Sequence, residues 1–335
     1  TGIVASNTLT ATGGDISLAS DSINFSGSVS GTGTITLADY NNDAGISVDG
    51  GSAGDLVLSN AELALLQDGF SEIIIGNGTT GTITIGNGGN SFADNVHFKS
   101  GGTTGNVDLE STPTIASGNN LTFTLGSSAS MVLDNDLQTD GGDITINGAL
   151  TVDGARTIDT ESGADGAGGN LIVTGAIDST DVSGDSLSID ASGTSNGAVT
   201  LSSDVGGTND LTGFTIAGGA TQVDLADLGI TGGNIAVTGD NIDLNGDSYV
   251  ATTSGSITFT GAVDLDSTGS LTVQTAGADS DDITFTSTID DTGSNTDLTI
   301  NAGAEGDLTF GGSVGSSNSI GTITATTLDD VIISG

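Results

Sequence analysis

Carboxylates dominate the reactive side chains of this sequence: 43 Asp and Glu stand against two Lys and Arg, a formal net charge of −41. Two clusters have the density of a cation site. Asp134, Asp136, Asp140 and Asp143 form the first, and Asp279, Asp281 and Asp282, followed by Asp290, Asp291 and Asp297, form the second. Hard oxygen ligands of this kind suit Ca²⁺. Like charges about 5 Å apart repel by roughly 1 kcal/mol even in water, so a bound cation would relieve a cost. Neither an EF-hand spacing nor a calcium-binding nonapeptide is present, and Asp beside Gly is also ordinary turn chemistry. The seven aspartates between 134 and 143 and between 279 and 282 are therefore the candidate calcium ligands, and no other cofactor is expected.

Other chemistry has thinner support. His97 is the only imidazole, in Val96-His-Phe98 beside Lys99. As the middle of an alternating triplet it points outward, and no Ser or Cys motif accompanies it. A polysaccharide lyase needs basic residues near a uronate, whereas Lys99 and Arg156 lie 57 positions apart. A glycosidase needs two carboxylates, but with so many acids any separation occurs somewhere. No Trp and two Tyr leave few platforms for sugar rings. We expect no enzymatic activity. Phosphate binding requires clustered Lys and Arg, so nucleic acid and anionic membranes are poor partners. No run of 18 apolar residues exists, so no transmembrane helix is expected.

The elements that must position these groups are written as a repeat. Apolar-x-apolar triplets begin at Ile257, Ile283, Leu308 and Val331, so that each start follows the last by 26, 25 and then 23. Val263, Ile289 and Val314 keep step with them, as do Leu271, Leu298 and Ile323. Each period thus holds three short strands, each with one apolar face too small to bury alone, so successive units must stack. The expected fold is an all-β, right-handed parallel β-helix with three short strands per coil of about 25–28 residues, neighbouring coils lying about 4.8 Å apart. Stacking predicts a column of Phe259, Phe285 and Phe310 inside. Outside, Thr258, Thr284 and Thr309 form one column and Thr272, Thr299 and Thr324 another.

Upstream the same grammar continues with slightly longer steps. Ile144, Leu171 and Val199 form one series, Leu150, Ile177 and Val205 a second, and Ile158, Leu187 and Phe214 a third. The wider gap from Val199 to Ile235 predicts an insertion around Val223-Asp-Leu225. Triplets at Ile16, Ile35, Leu56, Ile83 and Val107 belong to a less regular stretch, 1–130. One segment departs from strand: Ser59-Asn60 followed by Ala61-Glu-Leu-Ala-Leu-Leu-Gln-Asp68 and Gly69 carries an N-cap, helix formers and a terminal glycine, predicting a short helix near 60–68. One continuous solenoid, 1–335, is expected, with regular repeats from about 144.

Composition agrees. The 56 glycines, with Asp, Asn, Ser and Thr, serve many tight turns. The single Pro113 leaves ladder donors intact. Disorder is the rival for a chain with 3% aromatics, yet only 13% of residues are charged, and a disordered chain has no reason to keep three apolar series in phase. Zero Cys excludes disulfides and zinc-thiolate sites. The sequence opens at Thr1 without a basic stretch, so any secretion signal is expected to have been removed or to lie outside it.

The run Asn60-Ala-Glu-Leu-x-x-Leu, with Gly69-Phe and then Ile73-Ile-Ile-Gly76, resembles a segment of filamentous-haemagglutinin-like large bacterial exoproteins. Asp297-Leu-Thr-Ile-Asn-Ala-Gly303 and Gly306-Asp-Leu-Thr-Phe-Gly-Gly-Ser-Val314 resemble their repeats. The resemblance implies a parallel β-helix exported to the cell surface and carries over no catalytic site. The expected role is a structural extracellular rod in a bacterial adhesin stalk, surface filament or sheath. A calcium-dependent adhesive module is the first alternative and a carbohydrate-active enzyme the second. Strand-like sequence at Ile3-Val4 and Val331-Ile-Ile333 leaves neither end capped. The expected partners are therefore another copy head to tail or the remainder of a longer chain, with glycans or cell surfaces as targets. Thr258-Phe-Thr260, Thr284-Phe-Thr286 and Thr122-Phe-Thr124 also fit an ice-facing lattice, but the third aligned unit of the C-terminal repeat replaces the second Thr with Gly311.

Overall fold

A computed structural model describes residues 2–41, 43–50, 55–86, 91–102, 105–163, 166–181, 184–293 and 295–335. Almost every element is a short strand paired in parallel, and the chain is a β-solenoid of about 13 turns. Its contacts divide it into two compact units, Thr1–Thr151 with Asp159–Val173, and Val152–Ile158 with Thr174–Gly335.

In the second unit the alternation seen in the sequence becomes a set of vertical columns. Leu187, Phe214, Ile235, Ile257, Ile283, Leu308 and Val331 are register partners in successive strands of one wall. Val199, Val223, Ile242, Val263 and Ile289 make another column, and Leu271, Leu298 and Ile323 a third. Phe259, Phe285 and Phe310 stack inside, with ring centroids 5.3 and 6.0 Å apart and planes within 22° of parallel. Tyr249 closes that column edge-on against Phe259, and its hydroxyl donates to the Leu225 carbonyl at 2.9 Å. Outside, Thr258, Thr284 and Thr309 are in register, as are Thr272, Thr299 and Thr324.

The expected insertion around Val223 is not there. Val223-Asp-Leu225 forms the end of a long strand, Phe214–Leu225, and pairs with Val199–Leu201. The wide gap arises because Val199 and Ile235 belong to different columns: Ile235 lies directly over Phe214, one short coil earlier. Two walls run together here into single strands, bent where the register shifts between Ile216 and Ala220 and again between Thr238 and Asn241. A β-bulge supplies a corner without a separate turn, which shortens these coils.

The first unit repeats the scheme. Ile16, Ile35, Ile73, Val96, Leu121, Ile144 and Leu171 are register partners along one wall, and Ile46, Ile83, Val107 and Met131 along a second. Phe98 and Phe123 stack at 5.5 Å inside it. The long step from Ile35 to Ile73 holds the helix, which spans Asn60–Leu63 alone. Ser59 and Glu62 build a capping box at its start. The helix stops short of the expected Asp68 because the wall claims the next stretch of backbone: the Val29 N–H donates to Leu65 O and the Gln67 N–H to Val29 O, both at 2.8 Å. Leu63, Leu66 and Phe70 are buried, so core packing overrides local helix propensity.

Truncating the middle of the aromatic column tests this packing. Phe285→Ala should cost about 3–5 kcal/mol in urea unfolding followed by far-UV circular dichroism, whereas Thr284→Ala, on the outer face of the same strand, should cost less than about 1 kcal/mol. Equal effects would contradict the inside–outside assignment.

Candidate functional site

Of the aspartates singled out as calcium ligands, Asp143, Asp281 and Asp282 accept backbone N–H groups through their carboxylates. A recurrent Asn or Asp sits just before the main wall strand, and its side chain accepts from the backbone N–H of its counterpart one turn on. Thus the Asn120 N–H donates to Asn95 Oδ1 at 2.8 Å, Asp143 to Asn120 at 2.9 Å and Asn170 to Asp143 at 2.7 Å. In the second unit the Asp307 N–H donates to Asp282 Oδ1 at 2.9 Å and Asp330 to Asp307 at 3.1 Å. The residue before the ladder is often glycine for a steric reason. A Cβ at Gly169 would strike the Gly142 carbonyl, and one at Gly255, where φ is +116°, would strike that of Gly233.

Asp281 is buried and accepts from Gly255 N–H at 2.8 Å and Ala278 N–H at 2.9 Å. Asp140 forms an antiparallel bridge with Glu161. Asp134 accepts from Asn135 Nδ2 at 3.2 Å, the Asp136 carbonyl accepts from the Thr112 hydroxyl, and Asp279 is exposed. Among the described residues none of these seven belongs to a trio of acids whose ligand atoms lie within 4.8 Å of one another. Asp307, Asp329 and Asp330 do form such a trio. Its signal in the sequence is that Asp329-Asp330 fall one coil after Asp307, each site directly preceding an apolar triplet.

Acids also stack on the outer face of the second unit. Asp224, Asp243, Asp264 and Asp290 are consecutive register partners. Beside them Asp204, Asp227, Asp247 and Asp266 line a cavity of about 330 Å³. Asp227 Oδ1 accepts from the N–H groups of Asp247, at 2.6 Å, and Ser248, at 3.0 Å. Burial pushes the Asp243 carboxyl above its ordinary value; a hydrogen bond from Gln222 opposes this, and the charges of Asp224, Asp264 and Asp266 add to it. Burial likewise raises Asp108, with Asp134 and Glu110 contributing.

Two buried aspartates behave oppositely. At Asp185, burial alone would raise the pKa, but donors from Ser179, Gly154, Asp181 and Thr180 together hold it low. Burial is likewise outweighed at Asp291, which accepts from Thr296 N–H at 2.6 Å and from Gly293 and Asn295. Both are turn-organising anions.

His97 faces outward as expected, but it has company that the sequence concealed. Its Nε2 lies 2.9 Å from Thr124 Oγ1, and its Nδ1 3.6 Å from Glu72 Oε1. Burial lowers the imidazole pKa, Glu72 opposes that, and Lys99 adds to it. No protein-family model, curated protein or solved structure matches the chain.

The opposed shifts fix the sign of two pH effects. A raised folded-state pKa, as at Asp243, gives stability that is present below the unfolded value of about 3.8 and lost as pH rises through the folded value. Asp243→Asn should therefore raise Tm at pH 7, and its advantage should vanish on acidification to about pH 3.8. A lowered pKa, as at Asp291, gives stability present above 3.8 and lost as pH falls through the folded value. Asp291→Asn should lower Tm at pH 7, with a deficit that narrows only below pH 3.8. Thermal melts from pH 3 to 8 check both.

Proposed function

We propose that this chain is a structural, non-enzymatic segment of a bacterial extracellular surface assembly, an adhesin stalk or a self-assembling filament or sheath. The observation that carries the reading is the run of columns in each unit, where apolar side chains superpose inside and Asn or Asp links turn to turn outside. Such an arrangement resists bending and proteolysis because each turn is held to its neighbours by a full ladder. The charge of −41 keeps the exterior hydrated and disfavours nonspecific association. The resemblance of the 60–76 and 297–314 segments to large exoprotein repeats supports the same role. On this reading its partners are further turns of the same build, from a longer polypeptide or a second copy, and glycans or cell surfaces engaged by the assembly.

A calcium-dependent adhesive module is the second reading, favoured by the Asp307, Asp329 and Asp330 trio. Two measurements separate and test the readings. Negative-stain images of the purified chain should show stiff rods or fibres that survive prolonged protease treatment; compact particles cut within the strands would defeat the scaffold reading. Its Tm should move by less than about 1 °C between EDTA and millimolar Ca²⁺, because the scaffold reading requires no bound cation, whereas a cation that binds the folded chain stabilises it increasingly as its concentration exceeds Kd. A large calcium-dependent rise would favour the adhesive module.

A further inference from the structure

Three adjacent strands of the first unit bring together a hydroxyl, an imidazole and a carboxylate. Glu72 opens strand Glu72–Asn77, His97 lies on Val96–Ser100, and Thr124 on Leu121–Leu125. The register places His97 opposite Ile74 on one side and Thr122 on the other, so Glu72 and Thr124 reach it diagonally from opposite flanks. Nε2 meets Thr124 Oγ1 at 2.9 Å while Nδ1 faces Glu72 Oε1 at 3.6 Å. A carboxylate beside Nδ1 favours the tautomer protonated there, which leaves Nε2 as acceptor for the threonine hydroxyl. The His97 side chain is 17% exposed and that of Glu72 35%, so the group is sheltered but open to a small reactant.

The flanks of Thr124 matter as much. Its register partners are Lys99 on one side and Asn147 on the other. In a chain with two Lys and Arg against 43 acids, a lysine stands next to the hydroxyl bonded to the one imidazole. Lys99 and Asn147, one strand to either side of Thr124, are residue types able to donate to the carbonyl oxygen of an ester as it becomes an oxyanion.

We propose that Thr124 is a nucleophilic hydroxyl that accepts an acyl group from small activated carboxylic esters, with His97 as general base, Glu72 as the residue that positions the imidazole and Lys99 as the oxyanion partner. The Thr124 Oγ1 attacks the ester carbonyl carbon while its proton passes to His97 Nε2. The tetrahedral oxyanion collapses, the carbon–oxygen bond to the leaving alcohol breaks, and His97 returns the proton to that alcohol. The products are acyl-Thr124 and a free alcohol; no electron is gained or lost. Burial of the imidazole, which favours its neutral form, supports the base role that the Nε2–Oγ1 geometry suggests. One esterified side chain does not alter the columns beneath it, so this chemistry neither requires nor excludes a scaffold role.

The test uses the full chain with p-nitrophenyl acetate, following nitrophenolate release and locating the adduct by peptide mass spectrometry. Acetate should appear on Thr124. Thr124→Ser should retain the reaction, Thr124→Val should abolish the adduct, and His97→Gln should slow it about 100-fold. The rate should rise with pH through the imidazole titration. Glu72→Gln should move that midpoint to lower pH, because the Glu72 charge favours imidazolium, a shift that a purely structural hydrogen bond would not produce. Circular dichroism and Tm of each variant confirm that the fold is intact. Acetate on His97 alone, labelling spread evenly over surface hydroxyls, or nitrophenolate release undiminished in folded Thr124→Val would each overturn the proposal.

Discussion

Vertical superposition of parallel strands is the constraint from which the other features derive. When each residue lies about 4.8 Å above its counterpart, a favourable side chain is favourable at every level and an unfavourable one is repeated as a fault. Inside, the consequence is the stacking of Phe259, Phe285 and Phe310 and of Phe98 and Phe123. Outside, it is the threonine columns, whose branched side chains suit an exposed pleat. At the corners it is the glycines, because a backbone pressed against the neighbouring turn leaves no space for a Cβ at Gly169 or Gly255.

The same superposition would be ruinous for charge if every acid faced another acid. The chain manages this by giving its carboxylates backbone work. Asp143, Asp282 and Asp307 each accept an N–H from the next turn, so each of these carboxylates is bound to a backbone donor of the neighbouring coil. Asp185 and Asp291 carry that logic into the interior, where donors outweigh the cost of burial. Asp243 is raised first by burial and then by the acids in register on either side of it, against the hydrogen bond from Gln222. The acidity of the molecule is thus partly structural and partly a stacked field that attracts protons and cations.

The His97 patch is the exception to this economy. There the strand positions are filled by unlike groups, Glu72, His97, Lys99 and Thr124, where a ladder of identical residues would otherwise run. A parallel register gives such groups fixed diagonal relations across strands, so a flat wall can hold a constellation as reproducibly as a loop cluster does.

Much of the fold is legible in the chain because the repeat is a local property written many times over. The series from Ile257, Val263 and Leu271, and the phenylalanines between them, are related by steps along the chain that also measure one turn, so counting residues locates contacts. Counting fails where coil length changes. Val223 reads as an insertion because a bulged strand joins two walls and shortens the turn, and the helix after Ser59 ends early because Val29, far back in the chain, pairs with Leu65 and Gln67. Parallel stacking, buried columns and a turn-rich acidic exterior depend on residue type and period, and both can be read from the linear order. The partner of each polar atom is set only on folding, which turns Asp143 and Asp282 into links of a backbone ladder and brings Glu72 and Thr124 to His97. Those outcomes depend on the register between strands a full turn apart, and coils of unequal length hide that register from the linear chain.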